Sequence, residues 1–118
     1  MNYACLVYVE ESAFMPLSKE DGAKLTDDSI EYDQDLKRQG HLIVAQALKA
    51  PDSAITIRVR NGKASSTDGP FAETKEHLAG FILVEARDLN EAIRIATGIP
   101  MARLGSIEVR PIMELEHT

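Results

Sequence analysis

A chain of 118 residues with 44% apolar and 27% charged side chains has the size and composition of one globular domain, 1–118, which excludes disordered and fibrous architectures. Its net charge of −6 argues against direct nucleic-acid binding, which draws on a basic patch and counterion release. The single Cys5 excludes an intrachain disulfide, a cysteine-built zinc site and a Cys-x-x-Cys redox pair, and its apolar neighbours read as the setting of a buried thiol.

The N-terminus carries no basic segment followed by a long apolar one, and no apolar run approaches the roughly 20 residues of a membrane helix, so a cytoplasmic protein with no membrane partner is expected. Tyr3 to Val9 is apolar almost without interruption and rich in β-formers, which predicts a strand buried on both faces. Ser18-Lys19-Glu20-Asp21 resembles a capping box that starts a helix. Leu25, Ser29, Tyr32 and Leu36 recur at spacings of 4, 3 and 4 to give its inward stripe, which ends at Gly40. The acids Asp27, Asp28, Glu31, Asp33 and Asp35 read as a solvated face rather than a metal site.

His41 to Ala47 predicts a second strand, and Pro51-Asp52-Ser53 a turn. Ile55, Ile57 and Val59 alternate with Thr56, Arg58 and Arg60, the pattern of a half-buried strand. Asn61-Gly62 gives a two-residue hairpin turn, and Lys63 to Thr67 returns the chain to Asp68. Ala79 to Glu85 predicts a central strand. Asp88 to Glu91 caps a second helix with an inward stripe of Leu89, Ala92, Ile93 and Ala96, stopped by Gly98 and Pro100. Ser106 to Ile112 closes the sheet, with Ile107 and Val109 facing one way and Glu108 and Arg110 the other.

This order predicts an α+β fold, a ferredoxin-like split βαβ arrangement with an inserted β-hairpin. Two helices cover one face of such a sheet, whereas two of its strands are apolar on both. A homodimer through the uncovered face is therefore expected.

The segment least like core-filling is Asp68-Gly69-Pro70-Phe71-Ala72-Glu73-Thr74-Lys75-Glu76. Gly supplies dihedrals closed to other residues and Pro fixes its own φ, so the turn holds the Asp68 carboxylate still. Together with Leu78, Gly80-Phe81, Glu85-Ala86, Asp88-Leu89-Asn90-Glu91-Ala92 and Gly105-Ser106-Ile107-Glu108-Val109-Arg110-Pro111, it resembles the DGPF-type branch of the YCII-related proteins. Tyr3 to Val9, Leu36 to Gly40 and Asn61-Gly62 fit more loosely. The resemblance implies a ferredoxin-like domain that pairs into a dimeric α/β-barrel. It leaves activity open.

Asp68 reads both as a general acid or base and as a turn cap. The resemblance implies an acid in this turn paired with a first-helix histidine; that position is Ser29 here, which removes the usual proton-shuttling partner. His77 is the available substitute. Asp68, His77 and Ser29 are thus the catalytic candidates, and Phe71, Lys75, Tyr32 and Arg110 the candidates for binding a small acidic or aromatic ligand. The three histidines lack ligand spacing, and no phosphate loop, dinucleotide fingerprint or serine elbow occurs, so no metal or cofactor is expected. Two functions stay open beside an enzyme acting next to the Asp-Gly-Pro-Phe turn. One is a non-catalytic regulatory or interaction module, since relatives often stand beside sigma factors; the other is a scaffold whose turn serves dimer formation.

Overall fold

A computed structural model describes residues 1–117. In chain order they form β1 (Asn2–Glu10), α1 (Lys19–Arg38), β2 (Leu42–Ala47), β3 (Ile55–Arg60), β4 (Lys63–Asp68), β5 (Glu76–Glu85), α2 (Leu89–Thr97) and β6 (Ser106–Pro111). Four strands make an antiparallel sheet in the order β2-β5-β1-β6, and β3 pairs with β4 in a separate ribbon. This is the α+β arrangement expected, consistent with a ferredoxin-like fold.

Alternation along β1 sorts the sheet into two faces. Tyr3, Cys5, Val7 and Val9 are buried with Ile82 and Val84 of β5, against Leu36 of α1, Ala92, Ile95 and Ala96 of α2, and Ile99. Ala4, Leu6 and Tyr8 point the other way with Phe81 and Leu83, half-buried beneath no helix. Ser18 caps α1 by accepting from the Asp21 amide at 3.0 Å, and Asp88 caps α2 by accepting from Glu91 at 2.9 Å. The Glu91 carboxylate in turn accepts from the Arg87 amide at 2.9 Å, and that bond, the largest cause, holds its pKa below the ordinary range.

Two expectations need correction. On α2, Leu89 and Ile93 are each 47% exposed, while Ile95 lies inside. The helix presents Ala92, Ile95, Ala96 and then Ile99, the i, i+3, i+4, i+7 set, because this phase lets small alanines approach the sheet closely. On β3 the apolar face is the open one: Ile55, Ile57 and Val59 are 64%, 62% and 58% exposed. The strand was expected to be half-buried, but it pairs with β4 alone and the ribbon packs extensively on no other helix or strand.

The ribbon is an arm. It raises the radius of gyration to 16.4 Å, against about 13.5 Å for a compact chain of this length. One of its faces carries Ile55, Ile57, Val59 and Ala64; the other carries Arg58, Arg60 and Lys63. Ile55–Asp68 holds three cations and one acid, leaving ten cations and eighteen acids in the rest of the chain.

Candidate functional site

The inward stripe of α1 is buried only at its C-terminal end, at Leu36. Towards the N-terminus the helix stands off the sheet, and the gap is a cavity of about 560 Å³. Leu25, Thr26, Ser29, Ile30 and Asp33 line it from α1; Val7, Val9, Ala45 and Ile82 line it from the sheet, with Phe14 and Met101 at its margins. Gly22 also lies on this wall, and a Cβ placed there would meet nothing within 4 Å.

His77 reaches the cavity through an irregularity in β5. Val7 pairs with Gly80 but Tyr8 pairs with Leu78, so Ala79 is an extra residue opposite β1. The slip inverts the faces of everything before it, and His77 then pairs with Val9 on the helix-covered side. Strict alternation from Ile82 would have put residue 77 on the open face.

The polar atoms of the α1 wall are already partly committed. Ser29 donates its hydroxyl proton to the Leu25 carbonyl at 2.8 Å, and Thr26 donates to Gly22 at 3.2 Å. Both hydroxyl oxygens keep only acceptor capacity for a guest. Asp33, one turn beyond Ser29, is half-buried, and among the described residues it takes part in no hydrogen bond or ion pair. Burial pushes its carboxyl pKa above the ordinary value.

The other sequence candidates lie elsewhere. Asp68 ends β4 at the root of the arm, exposed and paired with Ile55. Behind it Gly69 adopts φ +100°, as the turn requires; its amide donates to Ala54 at 2.7 Å and its carbonyl accepts from Thr56 at 2.9 Å. Phe71 is 79% exposed, with the Arg58 guanidinium 5.9 Å from its ring centre. Lys75 approaches Glu10 at 3.9 Å, and Arg110 pairs with Glu108 at 2.7 Å on the open sheet face. Tyr32 turns away to donate to the Ile95 carbonyl at 2.6 Å, beside a smaller hollow shared with His41 and Arg94. Ser29 and His77 are therefore brought to one cavity, without Asp68, Phe71, Lys75, Tyr32 or Arg110.

Asp33 escaped the sequence reading because it sits among four other acids of the exposed face. Its position four residues after Ser29, hence on the same side of α1, was the available signal.

The family model for the YCII-related domain matches residues 1–116. The chain belongs to the YCII-related family. An uncharacterized protein of Rhizobium meliloti (strain 1021) is 37% identical over 114 residues, covering 95% of this chain and 92% of that relative. In this YCII-related chain the helix position that the family resemblance pairs with the turn acid is Ser29, whose proton is held by a backbone carbonyl rather than by a base. Its cavity instead joins His77 to Asp33 and Glu11, the titratable groups of the lining. Cys5 of β1 is buried on the helix-covered face of the sheet, its thiol pushed up to about 11 by burial, which leaves little thiolate at neutral pH.

Proposed function

We propose that this YCII-related protein, of the DGPF-type branch, binds a small molecule in the cavity between α1 and the sheet, with His77 as the group that exchanges a proton with it. The cavity itself carries this reading. Its volume of about 560 Å³ falls within the range of small-molecule sites, and its wall is apolar with a few polar groups. An imidazole can both accept and donate a proton, and the Asp33 carboxyl, its pKa raised by burial, is suited to the complementary role.

Gly22 supplies the test. A Leu side chain there starts in open space on the cavity wall and is expected to take up part of the volume a guest needs. A ligand found by thermal-shift screening of a metabolite library is expected to lose binding to Gly22→Leu while that variant folds normally. Undiminished binding would place the ligand elsewhere and remove this reading.

The arm favours a second role beside the first, association with another copy. An isolated two-stranded ribbon is marginal in water, so its three exposed β-branched residues call for cover. A second copy offers an apolar open sheet face on an acidic body to an arm with an excess of cations. We read the assembly as a homodimeric barrel formed through that face. Light scattering is expected to give the mass of two chains rather than 13.0 kDa, and Ile57→Ser to weaken the association. A monomeric parent would end the dimer reading; a dimer indifferent to Ile57→Ser would end the part given to the arm.

A further inference from the structure

We infer that the cavity is built for an amine: an apolar or aromatic body lying against Leu25, Ile30 and Ile82, with its ammonium group held by Asp33 and Ser29. The inference rests on the small-molecule reading of the cavity and adds the chemical class of its guest. The expectation of an acidic ligand came from Arg110 and Lys75, and neither reaches the cavity.

Three observations point the same way. First, the lining holds two carboxylates, Glu11 and Asp33, and neither a lysine nor an arginine. A carboxylate guest would bring a like charge into an apolar gap with no lysine or arginine to offset it, where Coulomb repulsion is less screened than in water. Second, the polar atoms that α1 presents are acceptors. The Ser29 and Thr26 protons are spent on the carbonyls of Leu25 and Gly22, and an ionised Asp33 has no proton to give. A guest satisfies them only by donating, and an ammonium group donates three times while an alcohol donates once.

Third, Asp33 lacks a partner where one is needed. A half-buried carboxylate carries a desolvation cost, and the helix gives it no compensating hydrogen bond among the described residues. Ser29 and Asp33 are four residues apart, which puts them one turn from each other on the same side of α1, the neighbour spacing at which the inferred ammonium would bridge both. The opposite wall adds only His77 and Gln46 to its apolar residues, and each has an acceptor atom to offer a donating guest.

The test uses matched guests on the intact protein at pH 7: tryptamine, tryptophol and indole-3-acetate, with phenyl and octyl sets of the same three head groups. Calorimetry is expected to rank amine over alcohol by at least about tenfold in each set that binds, with the acid weakest. Asp33→Asn should bring the amine down to the level of the alcohol and leave the alcohol unchanged, which separates loss of the charge from loss of the fold. Gly22→Leu should abolish all binding. An acid that binds as well as its amine, or an amine preference that survives Asp33→Asn, overturns the inference. If no amine of the panel binds while a library compound still does so in a Gly22→Leu-sensitive way, the amine inference falls and the cavity reading stands. Binding that Gly22→Leu leaves intact overturns both.

Discussion

The Tyr32 hydroxyl fills the space in which a side chain on Gly98 would begin. It donates to the Ile95 carbonyl at 2.6 Å, and a Cβ built on Gly98 would lie 2.5 Å from that oxygen and 2.8 Å from Cζ of the ring. The two helices thus meet at a contact that needs a missing methyl group. Gly98 has φ −84°, which any residue adopts, so packing alone decides the substitution. Gly98→Ala is expected to cost about 1–3 kcal/mol, as overpacking does, and Tyr32→Phe about 0.5–1.5 kcal/mol for the lost hydrogen bond. Urea unfolding measures both. Parent stability in Gly98→Ala would mean that the ring swings aside freely.

The arm's turn should fail locally. Asn61 and Gly62 adopt φ of 52° and 74°, the paired positive values of the two-residue hairpin turn. A β-branched side chain at 62 is strained there by roughly 1–2 kcal/mol. Because the ribbon packs little on the body, Gly62→Val is expected to lower amide protection in β3 and β4 while the main thermal transition moves little. Protection unchanged across Ile55–Asp68 would show that the turn tolerates the substitution.

Asp33 sets a pH dependence of known sign. Its folded pKa lies above its unfolded one, so the unfolded state ionises first as pH rises, and the folded state loses stability through that window. Asp33→Asn, which cannot ionise, is expected to be more stable relative to the parent at pH 7 than at pH 3. Denaturant midpoints at the two pH values measure the difference. A gap that is constant with pH, or larger at pH 3, would mean that the carboxylate has a partner in solution.

Asp68→Asn separates the arm root from the cavity. The exposed carboxylate lies outside the lining, so the substitution should change stability by less than about 0.5 kcal/mol and leave cavity binding as it is. A steep loss of binding would move the site to the turn.

The fold was legible where local pattern and burial agree. The β1 strand, the Ser18 and Asp88 caps and the Asn61-Gly62 turn are all decided by neighbours in sequence, and each stands where the residues put it, although β1 is fully buried on one face and not on both. Patterns that depend on what packs opposite were misread. The phase of α2 is fixed by the sheet beneath it, and the same alternation in β3 describes a covered strand or a bare one according to its surroundings. For the cavity, Ser29 and His77 were found as residue types suited to proton chemistry. Their meeting depends on the extra residue in β5 and on how far α1 stands from the sheet, and neither leaves a mark in the residue pattern.

The separation of charge between arm and body makes the molecule electrically lopsided. In the proposed dimer, an acidic chain with three of its cations and one acid on a projecting arm would turn in the field of an approaching copy so that the arm leads, which raises the fraction of collisions that are productive. The benefit lies in the rate of encounter, more than in the lifetime of what forms. Beyond a Debye length of about 10 Å at 0.1 M salt that guidance is lost, so the speed of the proposed pairing, unlike the shape of such a pair, would follow the ionic strength around it.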